Sequence, residues 1–212
     1  MYKVCIFFDY KNNWVLKYFK KKIFKNDKKF KFFFLSNQNK LKNFDIVFLF
    51  GLTRILKKKV ILKNEIVLLI HESALPKGRG MNPIQNQIIK NSKKIPSKLI
   101  LASTEKVDSG DIILESSFKI SKDDLIDDIR RKQFDISIEM MKNFLKKYPK
   151  FKKIKQKGRA SYFKKLNSLS NKLNINKSLK ENFNIIRISN KKYPAFFIYN
   201  NKKFLLYVKK SK

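Results

Sequence analysis

The chain is poor in several residues that would announce a function. It has one cysteine in 212 residues, Cys5, set in an apolar stretch. That excludes a disulfide framework and a thiolate zinc site, and it suits a reducing, cytoplasmic setting. There is one histidine, His71, and no metal site is expected. No apolar run reaches the roughly 18 residues that a membrane helix needs, so no membrane segment is expected. The opening stretch MYKVCIFFDYKNNW has too short an apolar part, and no small-residue cleavage site, to read as a signal peptide. No GxGxxG follows the first apolar run, so the dinucleotide fingerprint is missing. Acids are scarce as well, 16 Asp and Glu against 51 Lys and Arg.

What is present is enough to fold. Hydrophobic residues make up 43% and aromatics 14%, which argues against disorder and allows one good core with a smaller appendage. The net charge of +35 comes from 45 Lys and only 6 Arg. Lys, Asn, Ile and Phe are inflated together, as codon bias in an AT-rich genome would produce. Dedicated nucleic-acid binders place Arg, whose planar fork reads phosphates and bases. Nucleic acid is therefore expected to bind only non-specifically, with steep salt dependence. The charge is also uneven. Ten of the sixteen acids lie between Glu105 and Glu139, and after residue 140 Glu181 faces twenty Lys and two Arg. Either an anionic partner or a docking surface between the two halves would explain this.

Apolar runs at Lys3–Asp9, Lys31–Leu35, Asp45–Phe50 and Ile66–Ile70 read as strands, with a helical spacing from Trp14 to Phe24 and a short helix or turn over Leu52–Lys59. Pro83 opens a helix at a position that tolerates it. Lys98–Ser103 and Ile112–Phe118 read as two more strands. Ser121 is expected to cap a long helix whose first turn is acidic and whose apolar side runs through Leu125, Ile129, Ile136, Met140, Met141, Phe144 and Leu145 to about Lys147. The alternation predicts an α/β fold, a doubly wound, mostly parallel sheet. Ala195–Tyr199 and Lys202–Val208 predict a hairpin across Asn200-Asn201, which needs a surface to pack on, either the first domain or a second copy. The expected organisation is a domain over 1–147, a Lys-rich linker over 148–160 and a short C-terminal subdomain with the hairpin over 161–212.

Two stretches carry the chemistry. In VLLIHESALPKGRG (67–80) an apolar strand ends at His71 and opens into a Pro/Gly-rich loop. In TEKVDSGD (104–111) a loop between two strands holds Asp108 and Asp111. Both follow strands and are expected on one carboxyl edge of the sheet, where distant residues converge. A histidine with a carboxylate is the smallest kit for taking a proton from a nucleophile.

The pattern resembles the formyltransferase family that uses 10-formyltetrahydrofolate as donor, which includes methionyl-tRNA formyltransferase, glycinamide ribonucleotide transformylase and the sugar N-formyltransferases. Ser73, Leu75, Pro76, Arg79, Gly80, Pro83 and Ile84 match the first family motif, and Val107-Asp108-Ser109-Gly110-Asp111-Ile112 the second. Weaker matches run through Gly158–Ser168 and Leu173–Phe197 into the hairpin. The resemblance implies a Rossmann-like fold, with His71 as general base for the attacking amine and Asp108 orienting it. It implies that Phe50, Gly51, Leu52, Glu105 and Val107 line the folate pocket, and that Ser73, Lys77, Arg79, Gly80 and Asn82 face the acceptor. The family's Asn two positions before the histidine is Leu69 here, which cannot donate to an oxyanion; the loss of one such donor typically slows catalysis about 100- to 1000-fold. Asn82, Ser73 and Lys77 are candidate replacements. The loop and short tail resemble the small sugar N-formyltransferase-like proteins of surface-polysaccharide clusters. That implies transfer to the amine of an amino sugar, nucleotide-linked, with a homodimer through the hairpin as a further expectation. The alternatives are a weakened or inactive binding protein, or activity like that of methionyl-tRNA formyltransferase on RNA.

Overall fold

The computed structural model describes residues 1–9, 13–19, 24–52 and 55–211. Among these described residues, ten strands and five α-helices follow in chain order: β1 (Tyr2–Phe8), α1 (Asn13–Tyr18), β2 (Phe30–Leu35), β3 (Ile46–Phe50), α2 (Lys58–Ile61), β4 (Ile66–His71), β5 (Arg79–Gly80), α3 (Pro83–Ile89), β6 (Lys94–Leu101), β7 (Ile112–Lys119), α4 (Ile126–Lys147), β8 (Tyr162–Phe163), α5 (Leu179–Ile188), β9 (Ala195–Tyr199) and β10 (Lys202–Leu206). The main sheet has the order β2-β1-β3-β4-β6-β7. Its first four strands are parallel, while β6 and β7 are antiparallel to their neighbours.

Alternation along the strands builds two apolar faces. Val4, Ile6, Phe8, Phe48 and Leu68 pack under α4, against Phe134, Ile138, Met141 and Phe144. Cys5, Phe7, Val47 and Val67 point the other way, onto Leu41, Phe44, Leu56 and Val60. Strands buried on both faces read as continuous apolar runs, which is why β1, β3 and β4 stand out in the sequence. Deep burial also pushes the Cys5 thiol up to about 12, so it stays protonated and inert.

Three expectations are corrected. The long helix starts at Ile126, with Leu125 as its cap, and not at Ser121. The Ser121 N–H is accepted by Asp124 Oδ2 at 2.7 Å, and the Leu125 N–H by Asp128 Oδ2 at 3.0 Å. Asp123 and Asp124 thus fall before the helix, while Asp127 and Asp128 make its first turn acidic. Second, because β6 is antiparallel, the loop after it does not leave the carboxyl end of β4. Leu101 sits opposite Leu68, so the loop has to fold back along the sheet to reach His71. Third, the stretch expected as a linker lies against the sheet edge: Ile154 bridges Ile112, and Gln156 bonds into the loop of Asp108. The expected helix from Trp14 to Phe24 is observed over Asn13–Tyr18, and residues 20–23 lie outside the described part.

The C-terminal segment is fastened to the rest at several points. β8 pairs with β5, and Ile188 of α5 joins Ile84, Ile88 and Ile129 in a small core. Arg187 donates from Nε to the Asp124 carbonyl at 2.8 Å, and also to that of Ser121. Lys210 reaches Asp123 and Asp128 at 3.1 and 2.9 Å. The acidic start of α4 therefore docks the basic tail. Among the described residues no helix is long and apolar enough to cross a membrane, and no group of three His, Cys, Asp or Glu could hold a metal ion.

Candidate active site

β4 carries His71 to the rim of an open cleft of about 1650 Å³. A pocket for one small ligand commonly measures about 300–1000 Å³, so the cleft has room for two. The imidazole is 5% exposed and its two nitrogens face two acceptors. Nε2 donates to the Gly78 carbonyl at 2.7 Å, while Nδ1 lies 3.4 Å from Asp108 Oδ2. A neutral ring can donate to only one of these; the imidazolium satisfies both. The Nδ1 contact is longer than a good hydrogen bond, which leaves that nitrogen open to a competing donor.

Backbone geometry fixes both partners. Asp108 has φ +53, a left-handed conformation uncommon outside glycine, and its Oδ2 also accepts from the Gly80 N–H at 2.9 Å. Gly78 has φ +76, and a Cβ there would stand 2.3 Å from the Phe163 ring, so any other residue would strain the backbone and push the ring aside. Its N–H donates to Ser161 Oγ at 3.0 Å. Gln156 ties the two loops together. It accepts from Arg79 Nη2 at 2.7 Å and donates to the carbonyls of Asp108 and Gly110, each at 2.8 Å.

The expected site residues divide by placement. His71, Asp108, Phe50, Gly51, Leu52, Glu105, Val107, Gly80 and Asn82 all line the cleft. Ser73, Lys77 and Arg79 do not line it: Ser73 is fully buried, Lys77 is exposed away from it, and Arg79 is occupied by Gln156. Leu69 lines the cleft as well. Of its three candidate substitutes, Asn82 alone is on the wall. Asn82 Oδ1 accepts from the Leu166 N–H at 3.1 Å, and its Nδ2 donates to no described group.

Several residues of the cleft and its supporting loops escaped the sequence reading. Glu72, next to His71, is 7% exposed and accepts from Gln133 Nε2 at 2.6 Å. Burial raises its pKa above the usual 4.5, against the pull of His71 and the Gln133 amide. An acid directly after an apolar strand was the available signal for Glu72, and a lone amide on the inner side of α4 was the signal for Gln133. Gln156 and Ser161 gave none, since each acts across more than 40 residues of chain.

Residues 9–145 match the protein family described as Formyl transferase. The chain belongs to that family. A methionyl-tRNA formyltransferase from Buchnera aphidicola subsp. Baizongia pistaciae is 33% identical over 136 residues, covering 62% of this chain and 41% of the relative. The chain spans about two fifths of the length of the curated relatives it matches. Three solved structures share the formyltransferase fold. A methionyl-tRNA formyltransferase from Clostridium thermocellum superposes with TM-score 0.84 at 22% identity, over 100% of this chain and 94% of that one. HypX from Aquifex aeolicus, in complex with tetrahydrofolic acid, gives 0.73 at 18%, over 96% and 37%. A sugar N-formyltransferase from a Shewanella species gives 0.69 at 16%, over 100% and 99%.

Proposed function

We propose that this formyltransferase-family chain transfers a formyl group from 10-formyltetrahydrofolate to the amine of a nucleotide-linked amino sugar. The observation that carries the reading is His71, held between Gly78 and Asp108 at the rim of a cleft with room for two substrates. The donor fits the wall made by Leu49, Phe50, Leu52, Leu56, Leu69 and Ala102, an apolar slot for a flat ring, with the polar loop of Thr104–Val107 at its side. When bound, it supplies the activated formyl carbon. The tetrahydrofolic acid in HypX supports a folate in this fold.

The chain's own residues manage protons and charge. His71 Nδ1 takes the proton released by the attacking amine and gives it to the folate nitrogen that departs, and Asp108 Oδ2 steadies the imidazolium in between. Gly78 holds the ring by accepting from Nε2 and keeps it from turning. Asn82 Nδ2 is the side-chain donor free to stand in for the amide missing at Leu69. Glu72 and Gln133 give the α4 wall a buried acid and an amide, groups suited to the amine and hydroxyls of a sugar.

A second reading, formylation of an aminoacyl-RNA, is favoured by the methionyl-tRNA formyltransferase relatives and the basic tail. The hairpin exposes Ile198 and Leu205 on one side and Phe204 on the other, which supports a homodimer through the hairpin, to be tested by light scattering after size exclusion. The deciding experiment supplies 10-formyltetrahydrofolate with a panel of amino-sugar nucleotides and, separately, methionyl-tRNA. Mass gain of one formyl group on a sugar is the expected result. Transfer to the tRNA alone, or to neither, overturns it.

A further inference from the structure

On the wall between α1 and α4, the Arg130 guanidinium lies over the Trp14 ring, 5.9 Å from its centroid. Both residues line the cleft and both are partly buried. The other two arginines on buried positions have acceptors: Arg79 has Gln156, and Arg187 has the Asp124 and Ser121 carbonyls. Arg130 makes no hydrogen bond or ion pair with any described residue. Asp127, one turn away, is engaged by Lys17 at 2.9 Å. Burial lowers the pKa of Arg130 from its ordinary value, with Asp127 opposing, so the charge is partly desolvated with no counter-ion in contact among the described residues. A guanidinium offers five N–H donors in a planar fork that matches two oxygens of one phosphoryl group. An aromatic face beneath it limits its freedom before a ligand arrives.

We propose that Arg130 and Trp14 form a subsite of the cleft for a phosphoryl group, with Arg130 donating to its oxygens and Trp14 holding the guanidinium in place. The amino-sugar reading supplies the identity of that group, the diphosphate of a nucleotide-linked acceptor. The subsite itself can be tested without any formyl transfer.

Trp14 is the single tryptophan of the chain, so its fluorescence reports on the subsite directly. The intact protein and the variants Arg130→Gln, Arg130→Lys and Arg131→Gln are titrated with inorganic pyrophosphate, and then with succinate, at about 0.15 M salt. Arg131 is the exposed neighbour on the same helix, and its loss changes net charge equally. The expected result is a saturable change in the intact protein, weakened by about tenfold or more in both Arg130 variants. In Arg131→Gln it stays within about twofold. Equal weakening in Arg130→Gln and Arg131→Gln reduces the effect to bulk charge and overturns the proposal. So does the absence of saturation, and so does succinate binding as tightly as pyrophosphate. A chain that binds pyrophosphate through Arg130 yet formylates no amino sugar overturns the proposed reaction and leaves the subsite standing.

Discussion

His71 donates from Nε2 to the carbonyl oxygen of Gly78 at 2.7 Å, so the imidazole is aimed by a residue seven positions on in its own loop. Gly78→Ala tests the importance of that aim. The added Cβ meets the Phe163 ring and the backbone is left at φ +76, so a loss of about 1–3 kcal/mol in stability is expected, with a lower kcat. Gly78→Ala combined with Phe163→Ala should recover part of the stability through the shared space, giving a non-additive cycle in urea melts. Full additivity would mean that the ring is not what the methyl meets.

Substitutions at the pair separate proton transfer from folding. His71→Ala is expected to lower kcat/KM by about 100- to 10,000-fold. In Asp108→Asn the side chain still accepts from the Gly80 N–H, so the loop keeps its shape while the charge beside Nδ1 is gone. A loss of about 100-fold or more is expected, with unchanged circular dichroism. Wild-type rates in either variant would refute the roles given to these two residues.

The missing amide at Leu69 gives a compensating pair. Asn82→Asp retains the acceptor for the Leu166 N–H but loses the NH₂ group. It should lower kcat by about 100-fold with little change in KM for the folate. Leu69→Asn in that background should restore at least about tenfold. If Asn82→Asp is fully active, the donor lies elsewhere.

Glu72 makes stability depend on pH in a direction that can be worked out. Its folded pKa is raised above the ordinary 4.5 by burial, so above 4.5 the folded chain holds this proton more tightly than the unfolded one. Stability from this group is then greatest below 4.5 and falls as pH rises toward and through the raised value. Glu72→Gln lacks that slope and can still accept from the Gln133 amide. Its Tm relative to wild type should rise by at least about 2 °C between pH 4 and pH 8. A constant difference across that range would mean that Glu72 is not the source.

Much of this was legible in the order of residues, and the rest fails for identifiable reasons. Val4 to Phe8, Ile46 to Phe50 and Ile66 to Ile70 are covered on both faces and read as unbroken apolar runs. β6 begins at Lys94, earlier than its apolar run suggests, because Pro96 and its flanking lysines resemble a turn. Strand direction is not written in any local pattern, so the meeting of His71 with Asp108 was expected for a different geometric reason from the one observed. The roles of Gln156 and Ser161 were beyond reach. Each is an ordinary polar residue in a basic stretch until the chain brings it back onto the loops of Asp108 and Gly78. Glu72 lay in plain view beside His71, but local sequence does not distinguish a buried acid from a solvated one.

The pairing of β5 with β8 bears on the order in which the molecule is made. Arg79 and Gly80 meet Tyr162 and Phe163, and Ser161 takes the Gly78 N–H. A nascent chain emerging as far as α4 already holds all six strands of the main sheet, and with them His71 and Asp108. The loop that orients the histidine still lacks its outer strand and its hydroxyl partner. Synthesis thus delivers the scaffold before the finished site, and the loop of the histidine is completed by a short strand closing over a glycine.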